Sequence, residues 1–449
     1  MSDTTAPAPH GLARVAFAAA VGSALEWYDF FLYGTAAALV FNQLFFPKFD
    51  PTVGTLAAFA SFGVGFAARP FGGLFFGHFG DRWGRQPVLV ATLLLVGVGT
   101  FLIGCLPSYA AIGWWAPLLL VVLRLVQGFG AGAEYGGAVI LAVEYAPTQR
   151  RGLFGSWAPM GVMVGLFLAQ GVFALVTLLP NAQFLAWGWR IPFLLSIVMV
   201  AVGLFIRLRV AETPAFVAAQ RTRPAPKAPI VDAIRRHPKS FLVVIGARLA
   251  ENGLGYLFPV FGLSYIVKTL NLPRGVGLSG VLLGNAAELA GVVFFSWLSD
   301  RVGRRPIYMA GALFSAIFAI PFFILVDTKD PWLIRLAFVL IMGIGGGAMF
   351  GPQAAYFAEL FGPRLRYSGF AFARELGSIL AGGPAPFLSA LLVGWMAGAP
   401  WGVAGYVIVL SLITAASVWW GPETVRADIG ADALIAEEEG RAPGAARVA

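Results

Sequence analysis

Charged residues stand inside stretches of this sequence that are otherwise apolar, and their spacing points to chemistry. Glu26 and Asp29 lie three apart in the run 15–43, and Tyr33 follows one turn later. In a helix that spacing puts both carboxylates and the phenol on one face. Two neighbouring carboxylates in a low-dielectric setting resist being ionised together, so this face can carry a proton. Arg124 stands in the run 115–142, with Gln127, Ala131 and Glu134 on its face and Tyr135 next to Glu134. A carboxylate near such an arginine makes a coupling pair. Protonating the acid frees the guanidinium for an external anion, and deprotonating it recaptures the guanidinium. A permanent ion pair that only ties two helices together is the alternative.

The second half of the chain echoes the first. Arg248 and Glu251 repeat the three-residue spacing in the run 240–268, and Tyr256 lies further along. They could equally be a satisfied internal pair. Glu288 falls mid-run in 276–297, and Arg374 with Glu375 falls two turns into 367–395. We assign proton coupling to Glu26, Asp29 and Glu134. We assign substrate binding to Tyr33, Arg124, Gln127, Tyr135, Arg248, Glu251, Tyr256, Glu288 and Arg374. For Arg374 the alternative is a side chain that snorkels to the membrane surface. Arg69 and Glu144 fall near run ends and read as gate or loop partners, and Arg190 as a local anchor.

The elements that must position these residues are membrane helices. Hydrophobic residues make up 59% of the 449-residue chain and charged residues 12%. A soluble domain carries roughly 25% charged residues, so this chain cannot clothe a globule in water. The apolar runs approach the ~20 residues that cross a bilayer, and the alternating pattern of a barrel is absent. We count twelve spans, at about 15–43, 53–77, 87–106, 115–142, 153–179, 190–208, 240–268, 276–297, 306–326, 332–357, 367–395 and 401–420. At 1.5 Å per residue, Glu26 lies roughly 17 Å into the first span and Arg124 roughly 14 Å into the fourth, from opposite sides. A charge at that depth costs at least ~2.5–3.5 kcal/mol and therefore needs a partner, a cavity or a function.

The basic residues set the orientation. Arg82, Arg85, Arg150, Arg151, Arg301, Arg304, Arg305, Arg364 and Arg366 fall in one set of connections, with most of the basic cluster 207–239. That set, with both termini, is expected on the cytoplasmic side. The net charge of +9 then reflects topology, and no nucleic-acid partner is expected. The single cysteine, Cys105, allows no internal disulfide, and no Cys/His cluster suggests a metal or other cofactor.

One motif occurs twice. Residues 77–86 read Gly-His-Phe-Gly-Asp-Arg-Trp-Gly-Arg-Gln, and residues 296–305 read Ser-Trp-Leu-Ser-Asp-Arg-Val-Gly-Arg-Arg. The copies lie about half the chain apart, each between two apolar spans. Gly84 and Gly303 allow a sharp reversal. Asp81 and Asp300 can pair with arginines or with a helix N-terminus. Gly77, Asp81, Arg82, Gly84, Arg85, Glu144, Asp300, Arg301, Gly303 and Arg304 are the expected cytoplasmic gate. Two six-span halves with matching turns imply a transporter with its site near the midplane, between the halves.

The duplicated turn resembles the loop signature of the major facilitator superfamily, where it gates the cytoplasmic side. Arg124-x-x-Gln127-Gly128-Phe129-Gly130-Ala131-Gly132 resembles the fourth-helix motif of that superfamily, whose arginine is implicated in proton coupling. No strand precedes these glycines, so close helix packing explains them better than a dinucleotide loop does. Closer likeness lies in Glu26-Trp27-Tyr28-Asp29-Phe30, in 133–138 (Ala-Glu-Tyr-Gly-Gly-Ala), in 188–193 (Gly-Trp-Arg-Ile-Pro-Phe) and in 212–216 (Glu-Thr-Pro-Ala-Phe). These are similar to the metabolite:H+ symporter family, which includes bacterial importers of shikimate, 2-oxoglutarate, citrate and proline/betaine. Residues 54–60 and 112–117 resemble its shikimate-type members, and 143–147 with 155–157 its proline/betaine-type members. The shikimate-type sequences are neutral where Arg374 and Glu375 stand here, which suggests an added anion-binding group.

The resemblance implies an all-α membrane protein of the major facilitator fold, with twelve transmembrane helices in two pseudo-symmetric six-helix bundles. The bundles are expected at 15–208 and 240–420, joined by a cytoplasmic linker 209–239 and flanked by cytoplasmic ends 1–14 and 421–449. The implied activity is proton-coupled import of a small metabolite, an organic acid before a proline/betaine-type zwitterion. A drug/proton antiporter and a transporter-like sensor are the further rivals; no nucleophile–base pair suggests an enzyme. The implied partners are the substrate, protons and the lipid bilayer of a bacterial inner membrane, with the chain a monomer and no cofactor.

Overall fold

The computed structural model describes residues 9–83, 85–132, 139, 140, 142–144, 146–209, 234, 235, 237–362 and 366–427. For 9–19, 26, 77–83, 85, 86, 89, 206–209, 367 and 368 the description covers the backbone alone.

The first six long helices are α1 (Pro9–Ala36), α2 (Pro51–Trp83), α3 (Arg85–Cys105), α4 (Trp115–Ala131), α5 (Trp157–Val176) and α6 (Ser196–Arg209). The next three are α7 (Pro238–Tyr256), α8 (Arg274–Val302) and α9 (Arg304–Asp327). In α10, Pro331–Leu340 continues into Gly347–Glu359, and in α11, Arg366–Gly377 continues into Ala385–Trp395. Trp401–Trp420 is α12. Among the described residues nine helical stretches are long and apolar enough to cross a membrane, and Val90–Cys105 and Trp115–Ala131 are shorter apolar helices. With α1 they make up twelve spans. Apolar side chains such as Phe71, Leu118 and Ile317 face outward, which suits contact with lipid.

Local sequence explains several boundaries. Asp330 caps α10 by accepting hydrogen bonds from the backbone N–H of Trp332 at 2.7 Å and of Leu333 at 3.1 Å. Gly303 stands between α8 and α9 with φ of 124°, a backbone angle that side-chain-bearing residues avoid. π-helical turns extend α1 (Ala37–Phe41) and α7 (Leu257–Gly262), at matching places in the two halves. Pro259 lies in the second of these and cannot donate a helical hydrogen bond. α10 and α11 carry π turns at Ile341–Gly346 and Ser378–Gly382.

The duplication shows in the packing. In the first half α1 packs on α5, α2 on α4 and α3 on α6. In the second half α7 packs on α11, α8 on α10 and α9 on α12. The halves meet where α5 lies on α8 and α11 lies on α2, again a matched pair. The α4 glycines serve close approach, as their spacing predicts. A methyl at Gly128 would meet the carbonyl of Gly65 in α2, and one at Gly132 would meet the carbonyl of Arg69.

Candidate functional site

A small cavity of about 30 Å3 lies between the halves, lined by residues that include Trp27, Arg248, Glu251, Tyr256, Glu288 and Arg374. These come from α1, α7, α8 and α11. The chain therefore brings together four of the charged residues that the sequence assigns to substrate: Arg248, Glu251, Glu288 and Arg374. The volume is that of about one water molecule, well below the roughly 300 Å3 and more of a small-molecule pocket. The centre leaves little room for a substrate as it stands.

A polar network ties three helices together beside this cavity. Arg248 pairs with Glu251 on α7 and donates from Nε to the Ser378 hydroxyl at 3.3 Å. Arg374 donates from Nη1 to Glu375 Oε1 at 2.6 Å on α11. Glu375 also reaches α2, where Arg69 donates from Nη2 to Oε1 at 3.3 Å and its Nε stands 2.8 Å from Oε2. Arg69 and Arg374 are each 1% exposed. Arg374 does not snorkel to the surface. Its guanidinium lies 5.9 Å from the Trp27 ring, and that of Arg69 lies 5.2 Å from the same ring.

Arg124 occupies a separate aromatic chamber in the first half. It is fully buried, and its guanidinium stands 4.3 Å from the Phe30 and Tyr33 ring centres and 5.0 Å from Phe62. It donates to Gln127 Oε1 at 3.2 Å, and Gln127 donates to the Thr100 hydroxyl at 2.6 Å. Tyr33 donates its hydroxyl to Ser61 at 2.8 Å. Among the described residues Arg124 makes no ion pair, and its buried Nη2 has no hydrogen-bond partner. No pair between Arg124 and Asp29 is seen, and the side chain of Glu26 and the whole of Glu134 lie outside the described residues. Asp29 is buried on α1, at 4% exposure, and the rings of Phe30 and Tyr33 face the guanidinium. Tyr256 joins a cluster with Trp27, Phe31, Phe62 and Phe66, at ring distances of 5.1 to 6.2 Å.

At the end bearing the duplicated turn, Asp300 bridges the halves. Its carboxylate accepts hydrogen bonds from the backbone N–H of Gly152 at 2.7 Å and of Leu153 at 3.0 Å. It also pairs with Arg304 at 2.8 Å, and Arg304 pairs with Glu359 at 3.2 Å. Asp300 thus serves an arginine and a helix N-terminus together. Glu144 pairs with Arg366 across the halves at 2.6 Å. Arg301 points outward and lies 4.0 Å from the Trp297 ring centre. At the opposite end Lys268 donates to the Thr55 hydroxyl at 3.1 Å, and Arg274 to Asn181 at 2.9 Å. Contacts between the halves thus occur at both ends as well as at the centre.

Glu134, Tyr135 and Gly84 lie outside the described residues, as do the side chains of Glu26, Asp81, Arg82 and Arg85, and Gly77 is described as helical backbone alone. Arg69 and Glu375 belong to the central network but are missing from the sequence-based site. The available signal was a charge inside an apolar run, as in Ala67-Ala68-Arg69-Pro70. The helix containing Arg69 continues to Trp83, so its distance from the run end misjudges its place. Among the described residues no group of three or more His, Cys, Asp or Glu could hold a metal.

The profile of the family described as Sugar (and other) transporter matches residues 15–232, and that of the Major Facilitator Superfamily matches residues 286–443. The chain is 43% identical to the shikimate transporter of Escherichia coli (strain K12), over 90% of this chain and 92% of that one. It is 37% identical to the proline/betaine transporter of the same strain, over 85% of this chain and 78% of that one. Among solved structures it is similar to the xylose transporter XylE from E. coli in a partially occluded inward open conformation. That likeness has a TM-score of 0.69 at 18% identity, covering 92% of this chain and 98% of that one. A crystal structure of a D-xylose-proton symporter matches with a TM-score of 0.70 at 19% identity, covering 91% and 98%.

Proposed function

This chain belongs to the metabolite:H+ symporter family of the major facilitator superfamily, and from that premise we propose that it couples inward proton flow to uptake of a small organic acid. The observation that carries the proposal is the gathering of buried guanidiniums where the halves meet. Arg248 and Arg374 line the central cavity, Arg69 joins them through Glu375, and Arg124 lies in the aromatic chamber of the first half. Burying an arginine in a membrane protein is costly, and an anion is the ligand that such a cluster accommodates. Guanidinium groups match carboxylates in a two-point geometry.

The coupling follows from the way those arginines are held. In the closed arrangement Glu251 holds Arg248, and Glu375 holds Arg69 and Arg374. A substrate carboxylate competes with these glutamates for the same donors. A proton on a nearby carboxyl removes one competitor, so anion and proton bind more tightly together than apart. Opening alternates between the end tied by Asp300 and Glu144, which we assign to the cytoplasm with both termini, and the end tied by Lys268 and Arg274.

A second reading has its own support. Trp27, Phe31, Phe62, Phe66 and Tyr256 form an aromatic cluster, of which Trp27, Phe31 and Tyr256 line the cavity, and aromatic faces attract quaternary ammonium groups. A zwitterion such as glycine betaine would use those rings and one arginine. Uptake into proteoliposomes under an inside-alkaline pH gradient separates the two, with labelled shikimate and labelled glycine betaine in parallel. Shikimate accumulation that a protonophore collapses supports the organic-acid reading. Accumulation of betaine alone replaces it with the zwitterion reading. Accumulation of neither, with no alkalinisation outside, ends both.

A further inference from the structure

We propose that Glu288 of α8 is the carboxylate that carries the proton through the cycle, an inference that rests on the symport reading above. The sequence groups Glu288 with the substrate-binding residues and looks to α1 and α4 for the proton. The surroundings of Glu288 assign it differently.

The side chain is 6% exposed and lines the central cavity. Among the described residues it makes no hydrogen bond and no ion pair. The other buried glutamates differ. Glu251 is held by Arg248, Glu359 by Arg304, and Glu375 by Arg69 and Arg374. From α7, Arg248, Glu251 and Tyr256 face the same cavity, and from α11, Arg374 does. α1, α5 and α10 contribute Trp27, Val162, Met163 and Phe350 to it, none of them charged. Both facing arginines already pair with glutamates, Arg248 with Glu251 and Arg374 with Glu375.

The carboxyl also packs hard against backbone. A methyl built on Gly346 would lie 2.5 Å from Glu288 Oε1. Gly346 ends the π turn of α10, Ile341–Gly346, and such turns inside helices mark functional sites more often than chance. A carboxylate with no cation partner is costly to carry through a membrane protein's interior, and a neutral carboxylic acid is far less so, so in this proposal Glu288 keeps its proton through the step between the two open states. Once the halves open, water reaches the carboxyl and the O–H bond breaks, with the proton passing to water on that side. The resulting carboxylate then competes for Arg248 or Arg374 and helps displace the substrate anion. A new proton is taken from water on the opposite side, and no other bond changes.

The test compares wild type with Glu288→Gln and Glu288→Asp in proteoliposomes, using labelled shikimate. Glu288→Gln is expected to lose accumulation driven by the pH gradient, and the shikimate exchange that remains is expected to lose its dependence on pH. Glu288→Asp should recover gradient-driven uptake in part. Accumulation by Glu288→Gln at the wild-type level overturns the proposal, as does remaining exchange that keeps the wild-type pH profile. A readout without substrate separates this from failure of the symport reading. Infrared spectra of the purified protein at neutral pH should show the carbonyl stretch of a protonated carboxylic acid that weakens in Glu288→Gln. An unchanged spectrum overturns the assignment even if wild type transports neither shikimate nor glycine betaine.

Discussion

Arg69 of α2 and Glu375 of α11 meet across the two halves at two points, Nε to Oε2 at 2.8 Å and Nη2 to Oε1 at 3.3 Å. Glu375 also takes Arg374 at 2.6 Å, so one carboxylate holds two buried guanidiniums. Removing one partner of a buried pair costs about 3–5 kcal/mol, because the other charge is stranded. Glu375→Gln should therefore lower the melting temperature of the detergent-purified protein. A small carboxylate substrate should restore part of the loss, since it can take the place of Glu375. An unchanged melting temperature would rule out this pair as a latch on the closed arrangement.

Arg124 depends on shape as well as charge. Its guanidinium stands 4.3 Å from the Phe30 and Tyr33 ring centres and also donates to Gln127. A lysine keeps the charge but loses the flat face and the forked donors. Desolvated contacts of this kind are worth about 2 kcal/mol, so Arg124→Lys should slow uptake by at least about tenfold. Initial rates of shikimate uptake in proteoliposomes measure this. Rates close to wild type would mean that charge alone suffices there.

Much of this site was legible because apolar sequence makes charges conspicuous. Arg248 and Glu251 were found by their spacing, and Asp300 with Gly303 by the repeat of a turn. The partners were less legible. Glu375 follows Arg374 directly in sequence, yet its contact with Arg69 exists only because α2 and α11 pack across the halves. Arg124 was conspicuous as a charge, but the rings of Phe30 and Tyr33 beside it could not be read from its spacing. Glu288 stands apart because its neighbours are already paired, and one helix's sequence does not reveal what the next helix has committed elsewhere.

The gate should respond to loss of one carboxylate. Asp300 accepts from the backbone of Gly152 and Leu153 and pairs with Arg304. Asparagine turns one acceptor into a donor that faces another donor, so Asp300→Asn should loosen this end. Ser156 is fully buried just beyond the contact and makes a reporter. In a Cys105→Ser background, which removes the chain's one cysteine, Ser156→Cys should react slowly with a membrane-impermeant maleimide. Adding Asp300→Asn should speed labelling by about tenfold, a shift of ~1.4 kcal/mol in the opening equilibrium. Equal labelling rates would show that Asp300 does not hold this end shut.

The seam between α2 and α4 should tolerate almost no added volume, whereas Gly171 and Gly405, which stand in open space, should accept a methyl. At Gly128 the new methyl would collide with the backbone of Gly65, and backbone cannot rotate away as a side chain can. Overpacking of this kind costs typically about 1–3 kcal/mol. The shift would also move Arg124, one turn earlier on the same helix, relative to the rings that hold it. At Gly171 in α5 and Gly405 in α12 an added methyl meets nothing within 4 Å. Alanine in a helix interior is favoured over glycine by about 1 kcal/mol. Gly128→Ala should therefore lower the melting temperature and the uptake rate together. Gly171→Ala and Gly405→Ala should leave uptake intact and hold or raise the melting temperature. If all three variants behave alike, the glycine is not what sets the approach of α2 to α4, and the position of Arg124 must be fixed by the ring contacts alone.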